Sequence, residues 1–227
     1  MFETFEALLA PEVLKLLFKS AATSLFIAIC ALTIGTIIGV LIAFAKISKN
    51  KLLKIIATIY VEVIRGTPML LQLMFFYLAL PAIASNVFGM RVRPDVIIVG
   101  IIAISLNSGA YTSELFRGAI QSIDKGQWEA STTLGLSRKQ MMIYVILPQA
   151  FKRVAPSWIN EFIVLIKDSS LIQTIGGAEL LYWAHTQGSN TFDFATPLLM
   201  AGFCYLIMTL VVSFFAKKLE RKLAESD

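Results

Sequence analysis

The residues with most chemistry to offer are polar groups set inside apolar stretches: Glu62, Arg65, Thr67, Asn107, Tyr111, Glu114, Glu161 and Asp168. An ionised group at membrane depth costs at least about 2.5–3.5 kcal/mol on insertion scales, so each needs a compensating role. Glu62 and Arg65 stand three apart, a spacing that pairs them on one helix face. Gly66-Thr67-Pro68 follows at once. Proline lacks an N–H and turns the residue before it away from helical geometry, so a break is predicted there. A broken helix inside a membrane leaves backbone groups available to a solute. Asn107, Tyr111 and Glu114 share one helix face at i, i+4 and i+7, and Glu161 and Asp168 are also seven apart. This is the chemistry of reversible binding by opposed donors and acceptors. The plainer readings are structural: a Glu62–Arg65 bridge, a snorkelling Glu114, an Asn107 amide used in packing, and a Glu161 facing water.

These residues need helices that cross a bilayer to position them. The 227-residue chain is 57% hydrophobic, above the roughly 45–50% of soluble domains, and its mean hydropathy is +0.74. A bilayer core about 30 Å thick takes about 20 residues at 1.5 Å each. Hydrophobic stretches at about 21–45, 55–84, 96–115, 154–175 and 195–216 predict an all-α integral membrane protein of five transmembrane helices in one domain. Residues 3–19 mix Glu and Lys with Phe and Leu at helical spacing, which predicts an outer interfacial helix. Glu3, Glu6 and Glu12 occupy the start, without the basic region of a signal peptide. Cys30 and Cys204 fall within spans as plain buried thiols, with no metal site implied. Ala31, Gly35, Gly39 and Ala43 form a small-residue stripe, a helix packing face.

Flanking charge sets the orientation. Fourteen of the 20 Lys and Arg fall in the first connection, the 117–153 connection and the tail, so the rule that positive charge stays inside puts the N-terminus outside and the C-terminus in the cytoplasm. That accounts for the net charge of +5 through topology and leaves no nucleic-acid role. The 176–196 connection, with Tyr182, Trp183 and Phe192 and no Lys or Arg, reads as an outer hairpin with an aromatic anchor.

The cytoplasmic 117–153 loop has punctuation of its own. Asp124 is placed to cap a helix, with Gln127 three residues on, and Gly135 ends it. Ser137-Arg138-Lys139-Gln140 is a capping box for a second helix, which Pro148 separates from the fourth span.

Gly126-Gln127-Trp128-Glu129-Ala130, then Gly135, then Ile146-Leu147-Pro148 resembles the loop by which permease subunits of bacterial type I ABC importers dock on their ATPase. Arg65-Gly66-Thr67-Pro68, Tyr111 to Gly118 and Lys167-Asp168-Ser169-Ser170-Leu171 resemble the polar amino-acid uptake branch, with Ser169 where that pattern usually has Thr. The resemblance covers about residues 21–216. It implies a prokaryotic inner-membrane subunit working with a second permease copy (identical or a close paralogue), two ATPase subunits and an extracytoplasmic solute-binding protein. Asp124, Gly126, Gln127, Glu129, Ala130, Gly135 and Pro148 are then the coupling residues. The chain has no G-x-x-x-x-G-K-[ST] loop, so ATP and Mg are expected on the partner ATPase and the chain is expected to be no enzyme. For an amino acid as cargo, Arg65, Thr67 and the N–H groups at the break would hold the carboxylate, and Glu114 or Asp168 the ammonium. The surplus of acid favours a polar or basic amino acid. The alternative is a secondary transporter driven by an ion gradient, although the internal repeats typical of one are not found.

Overall fold

A computed structural model describes residues 6, 8–90 and 93–224, all in helices and short connections. Helix α1 (Pro11–Ile47) runs unbroken for 37 residues, and α2 (Lys51–Arg65) follows, capped by Asn50, whose Oδ1 accepts from the Leu52 N–H at 2.9 Å. After the Gly66–Pro68 break comes α3 (Met69–Phe88), then α4 (Val96–Gln121), capped by Asp95. Helix α5 (Lys125–Thr133) and α6 (Arg138–Met141) precede α7 (Leu147–Asp168). A 3-10 segment (Ser169–Ile175) leads to α8 (Leu180–Thr191) and α9 (Ala195–Ala224). The half-buried carboxylate of Asp193 accepts from Thr196 and Ala195 at the start of α9, and those donors hold it below the usual carboxylate range.

Four helices among the described residues are long and apolar enough to cross a membrane: Pro11–Ile47, Met69–Phe88, Val96–Gln121 and Ala195–Lys222. The stretch expected at 55–84 divides at the predicted break, so only its second half is a full span. The stretch expected at 154–175 is α7 with the 3-10 segment, and its Glu161, Lys167 and Asp168 keep it from being uniformly apolar. It nonetheless packs against α1, α4 and α9.

Two expectations concern the outer segments. Residues 11–19 continue straight into the first span, because Pro11 starts the helix and nothing after it stops one. Residues 6 and 8 are helical ahead of a turn at 9–10, and residues 3–5 and 7 of the expected outer helix lie outside the described residues. The 176–196 connection contains the 12-residue helix α8. Its Trp183 packs inward with Leu17, Leu180 and Ala201, so it is a core residue and no interfacial anchor.

Helix α4 sits at the centre, with half of its residues buried against α1, α2, α3 and α7. Its closest neighbour is α1, and the Ala31, Gly35, Gly39 and Ala43 stripe explains why. All four are buried, and a Cβ at Gly39 would lie 2.7 Å from Thr112 Cβ on α4. Lipid offers no hydrophobic force between spans, so this close approach supplies dispersion contact that larger residues would prevent. By contrast, α9 faces outward with Phe203, Leu206, Leu210, Phe214 and Phe215 exposed.

A buried carboxylate joins the ends of the chain. Glu179, fully buried, caps α8 by accepting from the Tyr182 N–H at 2.8 Å and the Leu181 N–H at 3.0 Å. It also accepts from Tyr205 Oη on α9 at 2.6 Å and from Ser24 Oγ on α1 at 3.1 Å.

Forcing a side chain into the α1–α4 contact should cost about 1–3 kcal/mol by overpacking. Gly39→Val is therefore expected to lower the melting temperature of the detergent-solubilised protein. Gly202→Ala, where no atom lies within 4 Å of the added Cβ, should leave it unchanged; equal shifts in both would count against the packing role.

Candidate functional site

Pro68 creates the site by what it lacks. In an unbroken helix its N–H would bond Ile64 O, and the Thr67 N–H would bond Val63 O. Side chains take over both carbonyls. Thr67 Oγ1 donates to Val63 O at 2.9 Å, and Gln72 Nε2 donates to Ile64 O at 2.7 Å. Gln72 Nε2 also reaches Thr67 O at 3.1 Å and Thr67 Oγ1 at 2.8 Å, and its Oε1 accepts from Asn107 Nδ2 at 2.9 Å. The break is thus held open by side-chain hydrogen bonds that replace the helical ones. The first turn of α3 has no side-chain cap, so the N–H groups there carry the positive end of a helix dipole without a partner among the described residues.

A cavity of about 580 Å³ opens at this break, within the roughly 300–1,000 Å³ of small-molecule sites. One wall is Arg65, Gly66, Thr67, Pro68 and Met69. Facing it are Asn107 and Tyr111 of α4, and Glu161, Val164 and Asp168, which share one face of α7. The Arg65 guanidinium stacks 5.1 Å from the Tyr111 ring centre, an attraction that fixes its direction without using up its donors. Two acids therefore oppose one arginine and a helix N-terminus across the cavity. No base is set beside a nucleophile here; the arrangement suits binding a solute that carries both signs of charge.

Six of the eight polar residues singled out in the sequence line this cavity: Arg65, Thr67, Asn107, Tyr111, Glu161 and Asp168. Thr67 contributes differently from expectation. Its hydroxyl proton already goes to Val63 O, so it supports the break and has none left to donate to a carboxylate. Glu62 is exposed, away from the cavity lining, and forms no ion pair with Arg65 despite the spacing. Arg65 prefers the Tyr111 ring.

Glu114 is also absent from the lining. Its carboxylate lies 2.6 Å from Lys46 Nζ of α1 and 2.6 Å from Arg117 NH2, and Arg117 NH1 reaches Gln121 Oε1 at 2.7 Å. With two cations in contact it ties α1 to α4 and is no candidate for the solute ammonium. Glu161 was set aside in the sequence as a water-facing acid, yet it lines the cavity; its seven-residue spacing from Asp168 was the available signal. Gln72 was missed, since a glutamine in an apolar run carries no signal until the orphaned carbonyl four residues before Pro68 is considered.

The polar loop folds as two helices about a glycine turn. Asp124 Oδ1 accepts from the Gly126 N–H at 2.7 Å, Gly135 takes the left-handed φ of 74°, and Ser137 and Gln140 complete the capping box. Gln127 Oε1 accepts from Gln149 Nε2 at 3.2 Å, which braces α5 against α7. Arg153 donates to Ser122 O from the same helix. Trp128 packs on the cluster of Ile120, Ile123, Met141 and Ile146, while Glu129, Ala130 and Leu134 stay exposed. Pro148 does not close off the second helix. The chain widens through Met142–Ile146, where the Leu147 N–H reaches back five residues to Met142 O, and Pro148 enters the first turn of α7. The same device precedes Pro81 in α3, where the Leu80 N–H bonds Phe75 O. Each wide turn lets a helix pass a proline without stopping.

Residues 35–225 match the family described as binding-protein-dependent transport system inner membrane component. The putative glutamine transport system permease protein GlnP of Rickettsia typhi is 38% identical over 213 residues, 94% of each chain. The arginine transport system permease protein ArtQ of Bacillus subtilis is 38% identical over 209 residues, 92% of this chain and 93% of that one. A solved structure described as an amino acid ABC transporter with histidines superposes with a TM-score of 0.85 at 36% identity, covering 93% of this chain and 95% of its own.

If Glu114 is a tie between helices, Glu114→Gln should destabilise the protein by about 1–3 kcal/mol, the penalty of leaving charged partners unpaired. Solute affinity should be unchanged, and the exchange Lys46→Glu with Glu114→Lys should recover part of the loss. A changed affinity with normal stability would return Glu114 to the site.

Proposed function

The chain belongs to the inner membrane components of binding-protein-dependent transport systems, and on that footing we propose how its cavity and loop divide the work of an ATP-driven amino-acid importer. It is a multi-pass inner-membrane transporter subunit and performs no covalent chemistry of its own. Its cargo is an amino acid with a polar or basic side chain. Arg65 and the uncapped first turn of α3 take the α-carboxylate, while Glu161 and Asp168 take the ammonium and a side-chain cation or amide. The observation that carries this reading is the separation of charge across one cavity at the helix break. The names of relatives as glutamine and arginine permeases support the same cargo class.

ATP and Mg are handled by ATPase subunits, which dock on the exposed Glu129, Ala130 and Leu134 side of α5. A solute-binding protein delivers the amino acid from the outer side, and a second permease copy, identical or closely related, completes the path. The N-terminus lies outside and the C-terminus in the cytoplasm. Closure of the ATPase pair draws the α5 loops together, and the braces from Gln127 to Gln149 and from Arg153 to Ser122 carry that movement into α7 and α4, the helices that bear the site. An ion-gradient mechanism through the same acids has no such role for the loop.

The test is uptake of labelled amino acids by proteoliposomes that contain the permease, its ATPase and its binding protein. Uptake should require ATP; uptake that persists with the ATPase omitted would overturn the importer reading. Asp168→Asn and Glu161→Gln should each raise KM for a cationic amino acid by roughly 10–100-fold, because a site built around polar groups discriminates through them. Unchanged values in both would remove the acids from the site. Glu129→Lys or Gly135→Asp, the latter straining a left-handed position by about 1–2 kcal/mol, should leave the spans inserted but lose ATPase binding or uncouple hydrolysis from uptake. Normal coupled uptake in both variants would refute the docking role.

A further inference from the structure

Gln72 does not line the cavity, yet its hydrogen bonds set what one cavity residue can offer. Ile64 O and Thr67 O are backbone carbonyls and only accept, so the Gln72 amide must turn its nitrogen toward them. Its oxygen is then directed at α4, where it can only accept, and Asn107 answers with Nδ2 at 2.9 Å. The two ends of an amide have almost the same shape, and the partners decide which way it points. Here the deciding partners are fixed by the backbone, through a relay that starts at the missing N–H of Pro68. Asn107 is accordingly held with its NH2 toward Gln72, while its Oδ1 has no partner among the described residues and belongs to a side chain that lines the cavity.

We propose that Gln72 is a specificity-determining positioning residue, which locks the Asn107 amide so that its carbonyl oxygen is presented to the solute. With Glu161 and Asp168 on the neighbouring face of α7, that side of the cavity then offers an array of acceptors. Solutes whose side chains donate N–H groups are matched, and solutes whose side chains only accept are rejected. This rests on the amino-acid cargo described above and deepens it, since it names the side-chain chemistry that the cavity selects. Gln72 is buried and its donors are spent on the break, so it acts through Asn107 and does not touch the solute.

The experiment is equilibrium binding of labelled L-glutamine and L-glutamate, which share a shape and differ in the donor, to the purified permease–ATPase complex without binding protein. Gln72→Met removes the lock, and Asn107→Leu removes the acceptor directly. Each should lower the glutamine-over-glutamate affinity ratio by about ten-fold, the worth of one such hydrogen bond, and the double variant should lower it no further. Gln72→Glu keeps an acceptor for Asn107 Nδ2 and should retain the preference even where it weakens binding of both solutes; it also serves if the methionine variant fails to assemble. A wild-type ratio in Gln72→Met, or additive losses in the double variant, would show that Gln72 only supports the backbone and would overturn the proposal. Loss of the ratio in Gln72→Glu would do the same. Failure of the wild-type complex to bind either amino acid would instead strike the cargo reading beneath it.

Discussion

The rest of the structure depends on one rule of the bilayer: a backbone polar group at membrane depth must find its partner within the protein. Pro68 interrupts the helix and leaves the carbonyls of Val63 and Ile64 to be satisfied by other groups. Thr67 and Gln72 answer the interruption with side-chain hydrogen bonds, and the cavity exists because they do. The passages at Pro81 and Pro148 differ, because those prolines follow a wide turn and the helix carries on. The difference between the sites is local. Ahead of Pro68 stand Gly66 and Thr67, which leave the helix readily, and a glutamine four residues beyond can reach back to the orphaned carbonyl.

Much of this architecture was legible from the sequence, because hydrophobic length, small-residue stripes and proline chemistry act over short distances. The break at Gly66–Pro68, the Ala31 to Ala43 packing face, the Asp124 cap and the Ser137 capping box each follow from neighbouring residues. Failures came where a contact from a distant helix decided the matter. Arg65 had an acid three residues away and took an aromatic ring on α4 instead. Glu114 shared a face with Asn107 and Tyr111, but Lys46, far off in the chain, claimed it. Pro148 looked like a stop because spacing alone does not reveal that the preceding turn can widen. The family resemblance supplied what local chemistry could not, namely the proposal that the polar 117–153 loop docks on an ATPase.

Electrostatics divide the chain between holding and moving. The Lys46, Glu114 and Arg117 cluster sits on α4 between the cavity and the loop, and it neutralises its carboxylate within the protein. Glu161 and Asp168 have no cation in salt-bridge contact among the described residues. Acids that are already satisfied stiffen a helix pair, whereas acids left without a partner are available to a passing cation. Helix α4 is unbroken from the cavity to Gln121, and only the short turn at Ser122 and Ile123 separates it from the Asp124 cap of α5.

Glu179 has a consequence for how the chain is made. Its buried carboxylate collects donors from Ser24 on α1, from the start of α8 and from Tyr205 on α9, so its partners lie on helices far apart in the sequence. Until α9 has arrived, the carboxylate is short of its 2.6 Å hydroxyl partner in a setting hostile to unpaired charge. A chain truncated before Tyr205 would therefore carry a defect of its own making. The clamp closes only when α1, α8 and α9 have come together.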